Sequence, residues 1–266
     1  MAFEPASRIS ARGLSFFPWN REARVTESAS ATAFWVLIAL GPAGLVAINL
    51  LGLIVDQSVI ADHLIAIADS APGSFGDLLM TQFTVIASPS PGSILLDALL
   101  VVTSLWTIST AVSMLMNGLR RAYGLPNAHF LLLRALASLA GLVSIIVLGL
   151  LSFAIDTRST AQLVVGLTSA MILSFMLLVS LHKLAVGRAF PARSLWPGAA
   201  FSTIALLLIQ LLWERAASLS PNTAMAYGAI TDLVTSMIAV WLAAFATLLG
   251  VFVNRWLLAR QRSMRD

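Results

Sequence analysis

The stretch that decides the fold is residues 229–257, AITDLVTSMIAVWLAAFATLLGVFVNRWL, followed by the basic tail LARQRSMRD at residues 258–266. A bilayer span needs about 20 mostly apolar residues, so this run is long enough to cross a membrane as a helix. Lys and Arg beside a span favour its cytoplasmic side. The stretch therefore predicts a transmembrane helix whose carboxyl end is cytoplasmic.

The rest of the chain repeats this alternation of apolar runs and basic clusters. Of the 266 residues, 59% are hydrophobic and 11% are charged, and the mean hydropathy is +0.91. A soluble domain of this size does not have such a composition. All but two of the 16 Lys and Arg residues lie in four clusters, at residues 8–24, 120–134, 183–193 and 255–265. Lipid is therefore the expected solvent of the chain.

The chain between two successive cytoplasmic clusters must cross the membrane and return. Four basic clusters with three such intervals therefore predict six spans with both termini cytoplasmic. The fold class is thus an all-α integral membrane protein with six transmembrane helices. We place the spans at about Ala31 to Val55, Ile94 to Leu119, Phe130 to Ala154, Leu163 to Lys183, Leu195 to Ala217 and Ala229 to Leu257.

These spans divide the chain into three parts. Residues 1–29 form a cytoplasmic segment that lies at the membrane interface, residues 30–257 form the transmembrane domain, and residues 258–266 form the basic cytoplasmic tail. The outer loop at residues 56–93 is the longest extramembrane segment, and its spaced acidic residues predict short amphipathic helices.

The first span contains the sequence Gly41-Pro42-Ala43-Gly44. An interior proline removes a backbone hydrogen bond and bends a helix, so Gly41, Pro42 and Gly44 predict a helix break. Two roles remain open for the break: it aids packing, or it lines a cavity.

Charged residues near the ends of the spans are the better functional candidates, because an unpaired charge within a membrane is costly. The predicted topology brings four of them to one outer depth, where they would form a polar cluster or simply lie at the interface. These four are Asp97, Glu214, Arg215 and Asp232.

A second set of candidates lies at the inner face. Arginine binds phosphate through two parallel hydrogen bonds, so arginines around one short loop predict contact with anionic lipid headgroups. The alternative is that they only set the topology, beside an interfacial tyrosine. The candidates are Arg120, Arg121, Tyr123 and Arg134.

Catalytic chemistry is not expected. The chain has no cysteine, and on this topology His63 lies outside whereas His129 and His182 lie near the inner face. The sequence contains no phosphate-binding loop and no metal-binding motif, nor a basic stretch interleaved with stacking aromatics. We therefore predict no enzyme activity, no metal, no cofactor and no nucleic-acid partner.

Several local sequences carry a resemblance to the BrkB/YihY family of bacterial inner-membrane proteins. The chain departs from the family at Arg120, where the family usually has Asn, and at Phe34-Trp35, where it usually has a Tyr pair. The sequences that agree are Leu105-Trp106-Thr107-Ile108-Ser109, Leu119-Arg120-Arg121-Ala122-Tyr123-Gly124, Trp196-Pro197-Gly198-Ala199, Tyr227-Gly228-Ala229-Ile230, Trp241 and Asn254.

The resemblance implies an inner-membrane protein linked to envelope integrity or to the export of lipids or other amphipathic molecules. A ribonuclease name has also been attached to the family, but the scattered histidines argue against it. Two functions remain open. The first is a transporter-like protein that moves or exposes a lipid or amphipathic solute. The alternative is a structural or accessory subunit, whose partner would be a second copy or another membrane protein.

The topology can be tested with single cysteines because the native chain has none. We expect cysteines at His63 and Ser90 to react with a membrane-impermeant thiol reagent in intact cells, and one at Ala128 to stay protected. The reverse pattern of labelling would show that the orientation is inverted.

Overall fold

The computed structural model describes residues 16–51, 62, 65, 94–126, 160–219 and 229–263. The elements in these ranges are all helical. Of the predicted outer loop the structure describes Asp62 and Ile65, which are both helical and exposed. The helices, numbered over the described residues, are α1 (Phe16–Ala23), α2 (Val25–Leu51), α3 (Ile94–Ala122), α4 (Thr160–Val186), a short 3-10 turn (Ala192–Leu195), α5 (Trp196–Leu219) and α6 (Ala229–Ser263).

The all-helical fold class is confirmed over these ranges. Three stretches there are long and apolar enough to cross a membrane: Val164–Val186, Ala192–Leu212 and Val234–Gln261. They coincide with the predicted fourth, fifth and sixth spans, and α2 and α3 cover most of the first and second. The predicted third span lies outside the described residues. Six spans and their orientation therefore stay a prediction.

The described helices converge at one end, which carries the exposed cations and is called the basic end below. The indole of Trp19 on α1 and the guanidinium of Arg255 on α6 both donate to the carbonyl of Ala122, at the end of α3. The end of α4 lies there too, because Arg120 donates to the carbonyl of Ala185. Since α3 and α4 both run towards the basic end, they have the same direction.

Two glycines in the left-handed conformation end helices at the basic end. Gly124 has a φ of 74°, its N–H donates to the carbonyl of Arg121, and the N–H of Leu125 donates to the carbonyl of Arg120. This pairing is the Schellman motif, and it satisfies carbonyls that α3 leaves free. Gly187, with a φ of 59°, ends α4 in a similar way, through the carbonyl of Lys183.

The segment predicted to break the first span does not divide the helix in two. Helix α2 continues through Gly41, Pro42 and Gly44 as far as Leu51. The side chains of this part lie outside the described residues, so the predicted bend and its role stay a prediction.

Close packing between α5 and α6 depends on two facing glycines. A Cβ added to Gly198 would overlap the carbonyl oxygen of Gly250 and the carboxamide of Asn254. A Cβ added to Gly250 would overlap Ser202, whose hydroxyl donates to the carbonyl of Ala246 at 3.1 Å. Small residues allow helix backbones to approach closely in membranes, where packing rather than the hydrophobic effect drives association.

We expect Gly250→Ala to lower the free energy of unfolding by about 2 to 3 kcal/mol, since the added methyl group meets backbone atoms that cannot move aside. The matched control is Gly187→Ala, where an added Cβ meets nothing within 4 Å. There only the left-handed conformation is penalised, by about 1 kcal/mol. Unfolding of both variants in detergent checks the difference, and equal stability losses would contradict the close approach.

Candidate functional site

A buried hydrogen-bond node joins α3, α5 and α6 at the basic end. The side-chain oxygen of Asn254 accepts from the N–H of Gly198 at 2.7 Å. Its amide nitrogen donates to the hydroxyl of Tyr123 at 2.8 Å and to the carbonyl of Leu195 at 3.2 Å. Tyr123, Leu195 and Asn254 are each 0% exposed. We call this set, with Gly198, the Asn254 node.

The ring of Tyr123 packs against aromatic side chains of α4 and of the segment after it. It lies 5.2 Å from the ring of Phe190 and 6.2 Å, edge to face, from His182. His182 is also fully buried, and its Nδ1 lies 2.9 Å from the carbonyl of Leu178. Because a carbonyl can only accept, Nδ1 carries the hydrogen. Burial raises the pKa of Tyr123, so its hydroxyl stays protonated at physiological pH.

Several cations at the basic end bind backbone carbonyls of the protein itself. Arg120 donates from Nε to the carbonyl of Pro126 and from its terminal nitrogen to that of Ala185, at 2.9 and 2.6 Å. Lys183 donates to the carbonyl of Phe190 at 2.8 Å. Carbonyls at helix ends lack partners within the helix and carry partial negative charge, so cations stabilise them. Arg120, a predicted headgroup ligand, therefore holds α3 against the end of α4.

Arg121 has a different environment from its neighbour. Its terminal nitrogen donates to the hydroxyl of Ser28 on α2 at 3.0 Å, while its Nε is buried without an acceptor. Arg24 lies close enough to act electrostatically, and it is itself paired with Glu27. Burial lowers the pKa of Arg121, and the charge of Arg24 lowers it further, whereas Glu27 opposes this shift.

The remaining predicted site residues are only partly described. Asp97, Glu214, Arg215 and Asp232 lie on α3, α5 and α6, at the ends of those helices away from the basic end. Their side chains lie outside the described residues, and so does Arg134. The outer cluster therefore stays a prediction.

Exposed aromatic side chains surround the basic end. Phe17 on α1 is 81% exposed, and Trp196 at the start of α5 and Trp256 near the end of α6 are 51% and 38% exposed. The guanidinium of Arg260 lies 5.4 Å from the ring centre of Trp256. Aromatic rings beside cations are typical of the boundary between lipid and water. These residues mark the basic end as such a boundary.

Sequence reasoning did not select Asn254 or Ser28 as site residues. Asn254 is the polar side chain in the apolar run between Leu248 and Arg255, and this isolation is a usable signal, since a polar group in a span needs a partner. Ser28 gives no such signal because serine is common near helix ends. Among the described residues, no three His, Cys, Asp or Glu side chains are grouped so that they would hold a metal ion.

We expect Asn254→Ala to lower the free energy of unfolding by about 1 to 3 kcal/mol, because the buried N–H of Gly198 loses its acceptor. Tyr123→Phe keeps the ring and removes one neutral hydrogen bond, so it should cost only about 1 kcal/mol. Unfolding of both single variants and the double variant in detergent measures the coupling. Strictly additive losses would show that the two side chains do not interact.

Comparison with known proteins identifies the chain through one family model. No curated protein and no solved structure matches it. The model described as Virulence factor BrkB matches residues 20–266, and this range contains every residue of the Asn254 node. The match also confirms the resemblance carried by the Trp196-Pro197-Gly198 and Tyr123-Gly124 sequences. The chain is a membrane protein of the BrkB family.

Proposed function

We propose that the chain is a transporter-like protein of the bacterial inner membrane that moves or exposes a lipid or another amphipathic solute. Both termini would be cytoplasmic, and the basic end would face the cytoplasm, where its exposed cations meet anionic headgroups. This activity would support the integrity of the envelope. The acidic and basic residues of the predicted outer cluster would line an entrance for the solute at the opposite end of the bundle.

The observation that carries this proposal is the uneven burial along the helices. At the basic end the interior of the bundle buries several large side chains completely, as at Tyr123, Leu195 and Leu248, and the exposed aromatic rings lie at its rim. Farther from that end, apolar side chains on four helices are at least half exposed, and a bilayer would cover them with acyl chains. They include Leu99 on α3, Val165 on α4, Leu212 on α5 and Val234 on α6.

Such a bundle offers an amphipathic solute an apolar path beside a polar, cationic end. Phospholipids have the same division, with acyl chains joined to an anionic headgroup.

Lipid movement can be measured with the purified full chain in vesicles that contain a headgroup-labelled fluorescent phospholipid. A membrane-impermeant reductant destroys the label in the outer leaflet only. We expect vesicles with native protein to lose inner-leaflet label as well, and vesicles with heat-denatured protein or none to retain it. Because transporter-mediated movement requires a folded bundle, the denatured protein is the appropriate control.

Equal retention of label in all three vesicle preparations would contradict lipid movement as the activity. The alternative of an accessory subunit would then account better for the exposed apolar faces. In that case, purification from native membranes in mild detergent should return a membrane-protein partner in fixed stoichiometry.

A further inference from the structure

The hydroxyl of Ser28 bonds to two arginines at the basic end, Arg24 in the turn between α1 and α2 and Arg121 on α3. It donates to the carbonyl of Arg24 at 2.8 Å and accepts from the terminal nitrogen of Arg121 at 3.0 Å. Ser28 is 1% exposed, so both bonds are largely shielded from water. The side chain of Arg121 on α3 is thereby fixed beside the first turn of α2.

One edge of the Arg121 guanidinium has a partner and another does not. Its Nε–H is buried and meets no acceptor in the protein, although a buried donor without a partner costs about 1 to 3 kcal/mol. Nor does a described carboxylate form an ion pair with this side chain, since the ion pair at this place joins Arg24 to Glu27. The guanidinium thus keeps an unused donor, and the charge of Glu27 acts on it without a direct ion pair.

The surroundings of Arg121 favour an anion. The side chain of Arg24 is 59% exposed, and the amino end of α2, where backbone N–H groups carry partial positive charge, begins at the next residue. The left-handed conformation of Arg24, with a φ of 52°, turns the chain sharply between α1 and α2. Two arginines and a helix end therefore meet at one place, where Arg24 is open to solvent and Arg121 is half-buried.

Glu27 is the unfavourable element at this place. Its carboxylate is 61% exposed and bonds to Arg24, so it competes with any other anion for that side chain. Exposed ion pairs contribute little, at most about 1 kcal/mol, because water screens them and the side chains lose entropy. A phosphate group with one or two negative charges can therefore share Arg24 with Glu27.

We propose that Arg121, Arg24 and the amino end of α2 form a binding site for a phosphate group. Arg121 binds two phosphate oxygens side by side through its Nε and terminal nitrogens, a geometry that guanidinium provides and ammonium does not. Ser28 holds this guanidinium in place. The site adds a ligand class to the proposed function. It rests on that function in one respect, because a phospholipid headgroup is the natural source of such a phosphate in a membrane.

This assignment separates Arg121 from the neighbouring predicted headgroup ligand. Arg120 donates from Nε and from a terminal nitrogen to carbonyls of the protein, at Pro126 and Ala185. Arg121 instead retains a donor for a ligand. Adjacent arginines in the sequence thus have different tasks.

The test is a binding titration with the purified full chain in uncharged detergent, using short-chain phosphatidylglycerol and, separately, inorganic phosphate. Arg121→Gln and Arg121→Lys should each weaken binding by about tenfold, since the lysine keeps the charge but loses the Nε donor. Glu27→Gln should tighten binding by about two- to fivefold, because its competition for Arg24 is removed. Arg193→Gln is the matched control, since Arg193 is an exposed cation at the same end, and it should leave the affinity unchanged.

Each result bears on the site. Binding of the lipid alone would identify a headgroup as the ligand, and binding of both probes would identify the phosphate group itself. Unchanged affinity in Arg121→Gln and Glu27→Gln, rescue by Arg121→Lys, or an equal loss in Arg193→Gln would overturn the proposal. The Glu27 variant keeps the test valid if Arg121 variants fold poorly. Phosphate or lipid binding in detergent, without lipid movement in vesicles, would contradict the proposed function but support the binding site.

Discussion

The carboxamide of Asn254 makes the interaction on which the basic end of the bundle depends. One side chain accepts a hydrogen bond from the first turn of α5 and donates to groups just after α3 and on the turn before α5. Its three bonds satisfy polar groups that no water reaches, in a solvent where an unpaired group is costly. The facing glycines at positions 198 and 250 are what bring α5 and α6 close enough for these bonds.

Cations at this end divide into two groups by what they bind. Arg120, Lys183 and Arg255 donate to backbone carbonyls at or just beyond helix ends, and so they complete the hydrogen bonding that helices leave open at their carboxyl ends. Arg24 and Arg121 keep charge or donors available to other molecules. Topology alone requires cations on one side of the membrane, but it does not require this division. The division arises because helices end here with backbone carbonyls that have no hydrogen-bond donor within the helix, and some of the cations supply that donor.

The residues that carry the family resemblance are mainly structural. Tyr123, Gly198 and Asn254 meet in the node, and Trp241 donates to the hydroxyl of Ser30 on α2 at 3.1 Å. Family membership therefore describes how the helices are assembled more than what they act on. This explains why membership alone leaves the substrate open, whereas the chemistry of Arg121 and its surroundings points to a ligand class.

The sequence by itself determined the all-helical fold class, the family and the gathering of cations at one end. These properties are local: hydropathy, charge and turn chemistry are read within one helix or one loop. Tertiary structure decided which polar groups meet, as in the bond between Tyr123 and Asn254, which lie 131 residues apart. It also decided that Arg120 binds the end of α4 while Arg121 does not. Such pairings depend on how far each helix is rotated about its axis and how closely small residues let it approach its neighbour, and neither quantity is encoded in any single stretch of the chain.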